Sequence, residues 1–598
     1  MSLTSRSSGV LAPIFSLPGT RDLGALGSPT AQFVDFLRRA GQSWFQTLPV
    51  NPIDAHGSPY SSSSAFAGET LYLDLEDFYR AGLLDRGDLE TAWLPAKSEE
   101  RFGSSRPQRD ARSEVIDYAR ARARRLPKQR KAFDRYRSNQ GGAKFHEQVD
   151  RFRADNEFWL RDYLLFQTAS EVFHSKDWST WPLELRRRDP NALAAFAREN
   201  ADRIEFLEFL QLAFDLQWRE FKTLCHENGV RLFGDVPIYV AGASADAWAR
   251  PELFMIDSDG RVLRESGAPA DDFNPKGQPW NSPVYRWSKH RATDFDWWTR
   301  RMKKTLDRFD VVRLDHFIGF YNYYSFPGKV KDAGAWERER RDAFEFVGGR
   351  ESDYEPGWTP GPQTTFFDAI FKTCPVEAFV AEDLGVMNDG VRALRDKYAL
   401  PGMNVFQFSF DNFKGQTQNP LDKWRANSVG YTGTHDAAPI LGWLDEVRKF
   451  GGRRFKSLDY DAIVDVLNQY ARESDAPATM LPPCFVAKLQ RVLATLRLDR
   501  PRRKVSKSYS FAPESIARLR TPVLRAVAAS PCRLAIFPIQ DVFGLLNDAR
   551  INYPGVKDGN WTWRLGASAP IDEVAGLLRE ITEESGRAPQ APSNKETV

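Results

Sequence analysis

The amino-acid sequence predicts an α/β fold, a (β/α)8 TIM barrel with helical subdomains inserted around the mouth of the barrel. The first observation is a repeated alternation of short apolar runs with helical patterns, which is typical of parallel strands joined by helical crossovers. The second is that the apolar runs end in polar residues, several of them acidic. Both features are expected where parallel strands deliver side chains to one rim.

Five buried strands are predicted from apolar runs that end where a loop would begin. Their spread over roughly 300 residues favours a closed barrel over an open sheet, because a barrel of this kind typically needs that length. The runs cover residues 229–240, 308–317, 378–385, 427–436 and 532–544.

Helical patterns fill the intervals between these runs. Trp298, Met302 and Leu306 recur every four residues and share one helix face, and another helix is predicted after an N-cap at Asn388. A doubly wound open sheet stays an alternative, although no G-x-G-x-x-G loop follows a strand and opens a helix. The sequence therefore leaves two α/β topologies, of which the barrel is favoured.

The chain is predicted to form one domain over residues 1–585. Residues 72–230 are rich in helical patterns and are interpreted as helical subdomains inserted among the barrel units. The last stretch, residues 586–598, is poor in apolar residues and is predicted to be a disordered tail.

Composition limits the classes of partner. The 598 residues, 42% of them hydrophobic, can bury a large core. Lysine plus arginine is 83 against 80 for aspartate plus glutamate, and a net charge of +3 predicts neither a nucleic-acid nor a membrane partner. No stretch approaches the roughly 18 to 20 apolar residues of a membrane span, and the start has no signal-peptide pattern.

The four cysteines are far apart and show no C-x-x-C spacing. This pattern predicts neither a zinc knuckle nor a dense disulfide framework. A cytoplasmic protein with reduced thiols is therefore expected. The sequence does not indicate an oligomeric state.

Acidic residues stand where four of the predicted strands end: Asp235, Asp315, Glu382 and Asp436. Any one of them could be a helix cap or a surface acid. Together they are expected to meet at one rim, because the carboxyl ends of barrel strands converge. Retaining glycosidases need two carboxyl groups about 5 to 5.5 Å apart, one to attack the anomeric carbon and one to protonate the leaving oxygen.

Neighbouring residues refine this hypothesis. Arg313 stands two residues before Asp315, on the same side of the strand, where its cation could keep that carboxylate ionised or form an ordinary barrel salt bridge. His316 and His435 each lie beside an acid, but no third ligand follows at metal-binding spacing. No metal site is predicted, and hydrogen bonds to sugar hydroxyls suit these imidazoles better.

Ten ordered motifs then resemble the 4-α-glucanotransferases, also called amylomaltases or disproportionating enzymes, of glycoside hydrolase family seventy-seven. The likeness runs almost from end to end. The motifs are SSGVLAPIFSLPGTRDLGALG, WFQTLPVNP, SPYSSSSAFAG, GDVPIYVA with SADAWA, GQPWNSPVY, VVRLDHFIGF, VAEDLGV, PGMNVFQFSF, YTGTHD and QDVFGLLNDARINYPGVKDGNWTWRL.

The resemblance implies roles for the three central acids. Asp315 resembles the family's nucleophile, Glu382 its acid/base and Asp436 its transition-state stabiliser. The implied reaction is a retaining double displacement that moves α-1,4-glucan segments between malto-oligosaccharides through a glucosyl-enzyme ester. It requires no metal or organic cofactor, because fixed carboxylates meet the charge of the transition state.

Five further residues resemble the family's substrate-binding positions. Arg313 and His435 resemble partners of the donor sugar, and Tyr60 and Asp235 resemble further substrate contacts. The resemblance also implies that Trp280 lies in the loop that covers the groove.

The chain also departs from the family pattern. Ile318 replaces the usual arginine, Ala437 and Ala438 replace Asn-Asp, and residues 421–424 replace a Leu-Pro-His-Asn element. Sequence is added around 329–360 and 450–525. These changes leave two alternatives beside the transferase: an α-glucan hydrolase on the same site, and a catalytically silent glycan-binding protein.

Overall fold

The structure is a computed structural model. It describes residues 5–19, 22–89, 110, 112–270, 276–328, 333–348, 350, 357–385, 387–410, 412–413, 416–417, 424–450, 517, 519–556 and 558–589.

Eight parallel strands form the central sheet, and each pairs with the barrel strand before or after it along the chain, except that the last strand pairs with the first. The two strands at the ends of the sheet order, Phe379–Ala381 and Gly402–Val405, face each other. The amide of Ala381 donates to the carbonyl of Pro401, next to the second strand, at 2.8 Å. The strands are β1 Ser7–Leu11, β2 Trp44–Gln46, β3 Arg231–Val236, β4 Val311–Leu314, β5 Phe379–Ala381, β6 Gly402–Val405, β7 Ser428–Tyr431 and β8 Leu534–Pro538.

This order is that of a nearly closed barrel and confirms the predicted fold class. β8 pairs with β1, in the register that joins Leu534 to Ser7, so the last strand returns to the first. The doubly wound alternative is wrong, because an open sheet of that type keeps its first and last strands apart. The five predicted strands are all present, each shorter than its apolar run, whereas β1, β2 and β6 were not predicted.

Helices cover the outside of the barrel. In the predicted pair, Trp298 and Met302 are buried, and the side chain of Asn388 caps its helix by accepting from the amide of Val391 at 2.9 Å. The last helix packs beside the first, which closes the outer layer as well as the sheet. These helices are Ser28–Arg39, Ala201–Glu227, Asp296–Arg308, Gln363–Ile370, Asp389–Lys397, Ile440–Phe450, Arg520–Ala529 and Ile571–Glu584.

A group of further helices lies between β2 and β3. The helix Ala201–Glu227 connects this group to the barrel, because it packs against four of the group's helices and also against β3. Its buried side includes Phe209, Phe214 and Trp218. The group consists of Leu75–Arg80, Arg86–Leu89, Tyr118–Arg137, Ala143–Asp155, Leu160–Val172, Leu183–Arg186 and Pro190–Glu199.

A smaller antiparallel sheet follows β3 and β4, with the strand order Gln278–Pro283, Arg264–Ala268, Asn322–Pro327 and Trp358–Pro360. The helix Ala333–Val347 packs on it, so described parts of the 329–360 segment belong to this layer. Most of 450–525 lies outside the described residues.

Short elements complete the structure. Two pairs of short strands are antiparallel: Ser113–Val115 with Trp563–Leu565, and Asn412–Phe413 with Gln416–Thr417. Short helices lie within the connections between the larger elements: Ala245–Ala249, Trp287–Ala292, Ile318–Tyr321 and Ile539–Val542.

Across the described parts of the chain, every helix is too short or too polar to cross a membrane.

Arg587 lies in the stretch predicted to be a disordered tail, yet its side chain is completely buried. The guanidinium donates to the carbonyl oxygens of Ser7 at 2.7 Å, Cys532 at 2.8 Å and Ala528 at 2.6 Å, and also to those of Ser530 and Arg533. It therefore ties the end of the chain to β1 and to the turn before β8. The ordered chain extends beyond 586, because these backbone acceptors offset the cost of burying the cation; the rest of the predicted tail, from 590, lies outside the described residues.

We expect Arg587→Met to lower the free energy of unfolding by about 2 to 4 kcal/mol, since buried carbonyls lose a charged donor. Urea unfolding followed by tryptophan fluorescence measures this. The matched control is Arg579→Met, which changes an exposed arginine on the preceding helix; among the described residues its ion pair is with Glu583. Equal free energies of unfolding for the two variants would show that the hydrogen bonds of Arg587 contribute nothing to stability.

Candidate active site

The register of two neighbouring strands brings together the first part of the site. Asp235 on β3 is paired with Arg313 on β4, and Asp315 follows two residues later. Because side chains alternate along a strand, Arg313 and Asp315 point to the same side, as predicted. All three residues lie at the carboxyl ends of their strands, where barrel enzymes build their sites.

Arg313 holds both carboxylates. Its Nη1 donates to Asp315 Oδ1 at 2.7 Å and to the two carboxylate oxygens of Asp235 at 2.9 and 3.0 Å. Burial alone would lower the pKa of Arg313, but the two carboxylates raise it well above its ordinary value. The guanidinium therefore stays charged, and it fixes one oxygen of Asp315.

Tyr60 reaches this group from the segment that follows β2. Its hydroxyl donates to Asp235 Oδ2 at 2.7 Å, and its ring stacks on His435 with 5.1 Å between centroids. Burial raises the pKa of Tyr60 well above its ordinary value, so the phenol keeps its proton. Tyr60 thus joins the β3–β4 side of the site to the loop after β7.

Glu382 follows β5 and is oriented by backbone amides. Its Oε2 accepts from the amide of His316 at 2.8 Å, and its Oε1 accepts from the amide of Leu384 at 3.1 Å. His316 has a left-handed φ of 49°, which is uncommon for a residue other than glycine and here turns its amide toward the carboxyl group. Glu382 therefore lies beside the residue that follows Asp315.

Burial shifts the pKa values of both Glu382 and His316 away from their ordinary values. Burial raises the pKa of Glu382 to about 8; the Arg313 cation opposes this shift and the Asp315 carboxylate adds to it. Burial also lowers the pKa of His316 to about 4, so its imidazole is neutral at pH 7. Glu382 is consequently a proton donor at neutral pH.

Asp436 has the opposite environment. His435 Nε2 lies 3.2 Å from its Oδ2, and the side-chain amide of Asn552 donates to its Oδ1 at 2.6 Å. Burial works against the charged form, but His435 and Asn552 hold the pKa of this carboxyl well below its usual range. Asp436 therefore supplies a fixed negative charge.

Trp280 lies on the edge strand of the small sheet and meets the site through His316, with ring centroids 5.0 Å apart and an edge-to-face angle of 88°. With this contact, the eight predicted residues and His316 form one connected cluster, in which His316 joins Trp280 through its ring and Glu382 through its amide. The sequence prediction thus selected one cluster.

Several residues of this cluster were not predicted. Arg550 donates to the backbone carbonyl of Asp436 at 2.7 Å, beside the Asn552 contact. The buried carboxyl of Asp541 accepts from the hydroxyl of Thr432 and from the amide of Ile440, the two ends of the loop that carries Asp436. Asp541, Arg550 and Asn552 all lie in the motif QDVFGLLNDARIN, and its likeness to the family pattern is the signal that could have indicated them.

The family departures lie next to these residues. Ile318 begins the short helix after Asp315, and Ala437 and Ala438 follow Asp436 and line a cavity of about 10 Å³ with Asp541. Residues 421–423 lie outside the described part, and Trp424 is buried. Within the described part of the chain, no group of three or more His, Cys, Asp or Glu side chains is arranged to hold a metal ion.

A barrel that presents a protonated Glu382 beside an arginine-bound Asp315 has the features of a carbohydrate-active enzyme that works through paired carboxyl groups. Residues 12–568 match the family model described as 4-alpha-glucanotransferase. The chain belongs to this family, the 4-α-glucanotransferases of glycoside hydrolase family seventy-seven.

Individual relatives agree with the family match. The chain is 32% identical over 587 residues to a 4-alpha-glucanotransferase from Synechocystis sp., covering 98% of this chain and 99% of that protein. It is 32% identical over 586 residues to one from Thermus thermophilus, covering 97% and 99%. A solved amylomaltase from Streptococcus agalactiae, in complex with acarbose, superposes with a TM-score of 0.76 at 27% identity, covering 98% of this chain and all of that one.

The ionisation of Glu382 predicts the alkaline side of the pH profile. A proton donor must be protonated to act, so we expect kcat/KM to fall as the pH rises through about 8, tenfold for each further unit. Initial transfer rates on maltotriose between pH 5 and pH 10, with stability checked at each pH, measure this limb. A rate that stays level to pH 10 would contradict the assignment of Glu382 as the acid.

Proposed function

We propose that Asp315, Glu382 and Asp436 transfer α-1,4-glucan segments between malto-oligosaccharides by double displacement with retention. The observation that carries this proposal is the contrast between the two central carboxyl groups. Asp315 receives a hydrogen bond from a buried cation, whereas Glu382 keeps its proton at neutral pH. One group is prepared to attack carbon and the other to protonate oxygen.

In the first step, Asp315 attacks the anomeric carbon of the donor while Glu382 gives its proton to the glycosidic oxygen. The C–O bond breaks, the shortened glucan leaves as an alcohol, and a glucosyl ester forms on Asp315. Arg313 donates a hydrogen bond to Oδ1 of the nucleophile Asp315 and stays in place while the negative charge of that carboxylate is lost.

In the second step, the 4-hydroxyl of another glucan gives its proton to Glu382 and attacks the same carbon. The ester bond to Asp315 breaks, and a new α-1,4 bond replaces the one that was lost. Both steps pass through a transition state with oxocarbenium character, which the fixed charge of Asp436 stabilises.

The other predicted residues are assigned to substrate binding. Arg313 and His435 would contact the donor sugar, and Tyr60 and Asp235 would contact hydroxyl groups around it. Trp280 would pack against a sugar ring at the edge of the groove, because aromatic faces suit the apolar face of a sugar. The solved amylomaltase from Streptococcus agalactiae is in complex with acarbose, which supports ligand binding by a protein of this fold.

The proposal extends to three broader expectations. Residues 1–585 would act as one catalytic domain, since the barrel strands span Ser7 to Pro538. The reaction would use no metal or organic cofactor. The substrates would be malto-oligosaccharides and longer α-1,4-glucans. A cytoplasmic location is supported by the free, buried cysteines Cys225, Cys374 and Cys532.

Incubation with maltotriose separates transfer from the two alternatives. We expect glucose and longer oligosaccharides to form together without a net increase in reducing ends, because each broken α-1,4 bond is replaced. An α-glucan hydrolase would raise the number of reducing ends in proportion to the glucose formed. A catalytically silent glycan-binding protein would leave maltotriose unchanged.

We expect Asp315→Asn and Glu382→Gln each to lower maltotriose turnover by roughly a thousandfold or more, about 4 kcal/mol in the activation barrier. The replacements keep the shape of the side chains, so circular dichroism and thermal unfolding should change little. Asp383→Asn is unsuitable as a control, because Asp383 pairs with the buried Arg395. Asp389→Asn serves instead, since Asp389 is exposed on the next helix, and near-normal turnover of either test variant would defeat the assignment.

A further inference from the structure

Trp561 has an unusual backbone conformation near the site. Its φ is 62°, in the left-handed region that bulky residues rarely adopt. Such conformations persist only where the surroundings enforce them, and they occur preferentially at functional sites. Trp561 belongs to none of the predicted site residues.

Two hydrogen bonds hold this conformation. The amide of Trp561 donates to the carbonyl of Ile551 at 2.7 Å, and its own carbonyl accepts from the hydroxyl of Tyr118 at 2.7 Å. The first bond closes the loop that begins with Asn552, the partner of Asp436. The second anchors the loop to the long helix Tyr118–Arg137, outside the barrel sheet.

The indole of Trp561 is 6% exposed and packs against two predicted binding residues. Its ring centroid lies 5.7 Å from that of Tyr60, at an interplanar angle of 41°, and 6.1 Å from that of His435, at 37°. Tyr60 and His435 in turn stack on each other at 16°. The three rings form one cluster, of which the indole is the largest member.

This cluster connects the two halves of the site. Tyr60 donates to the Asp235 carboxylate, which is also bound by Arg313, and Arg313 in turn holds the nucleophile. His435 leads directly to Asp436. A shift of the indole would therefore move both the group that attacks the sugar and the group that stabilises its charge.

We propose that Trp561 is a positioning residue for glucan transfer, which sets Tyr60 and His435 relative to each other and thereby Asp315 relative to Asp436. The left-handed backbone belongs to this arrangement, because the residue that adopts it is the one whose indole packs against both rings. This proposal rests on the proposed roles of Asp315 and Asp436. Because the indole is almost wholly buried, its effect on the sugar is exerted through Tyr60 and His435.

The test compares Trp561→Ala, Trp561→Phe and Trp561→Gly with the control Trp563→Phe. Trp563 is two residues away and buried, and its indole donates to Ser113, away from the site rings. We expect Trp561→Ala to lower kcat on maltotriose by roughly a hundredfold with KM within about threefold, since small misplacements of reacting groups cost rate more than binding. Trp561→Phe should restore part of the loss, and the control should keep normal kcat.

Trp561→Gly separates the ring from the backbone. Glycine adopts positive φ without strain, so this variant should be more resistant to urea than Trp561→Ala while its kcat is as low. A merely structural role predicts instead that kcat follows stability. If Trp561→Ala fails to fold, Trp561→Gly and Trp561→Phe decide by the same criteria.

A double-mutant cycle adds the final criterion. Losses from Trp561→Phe and Tyr60→Phe should be clearly less than additive in kcat, whereas those from Trp563→Phe and Tyr60→Phe should add. Normal kcat in folded Trp561→Ala or Trp561→Gly would overturn the proposal. Failure of the proposed function looks different, because the wild type would then lack transfer or Asp315→Asn would retain it.

Discussion

One buried guanidinium organises the site. Arg313 is the register partner of Asp235 on the adjacent strand and stands two residues before Asp315, so strand pairing and the alternation of side chains bring one cation between two carboxylates. A buried charge is tolerated only while it is paired and hydrogen-bonded, and removal of either partner would leave the others uncompensated. Tyr60 adds to the same group through Asp235, and the barrel must hold β3 and β4 in register for any of these contacts to exist.

The acids around this cation differ in protonation, although burial alone favours the protonated form of both Glu382 and Asp436. Glu382 keeps its proton because its burial outweighs the backbone amides that donate to it, whereas Asp436 has an imidazole and an amide that favour its charge. The difference arises from which loop ends meet, because closure of the barrel brings Asn552, after β8, against Asp436, after β7. The different protonation of Glu382 and Asp436 therefore depends on the cyclic order of the strands.

Much of this arrangement followed from local patterns. The acids at strand ends were predicted because apolar runs end before them, and the shared side of Arg313 and Asp315 follows from the strand period. The strands β1, β2 and β6 escaped prediction, since their sequences SSGVL, WFQ and GMNV are short and include polar residues or glycine, so that no continuous apolar run marks them. Asn552 and Trp561 escaped as well, because their contacts join residues more than a hundred positions apart and exist only after the barrel closes.

The most direct measurement identifies the residue that becomes esterified. Glu382→Gln, which lacks the catalytic acid and base, is treated with α-maltosyl fluoride, whose leaving group needs no proton, and the digested protein is mapped by mass spectrometry. The account predicts a maltosyl adduct on the peptide that contains Asp315, and no adduct when Asp315 is also changed to Asn. An adduct on Asp235, on Asp436 or on another residue would contradict it.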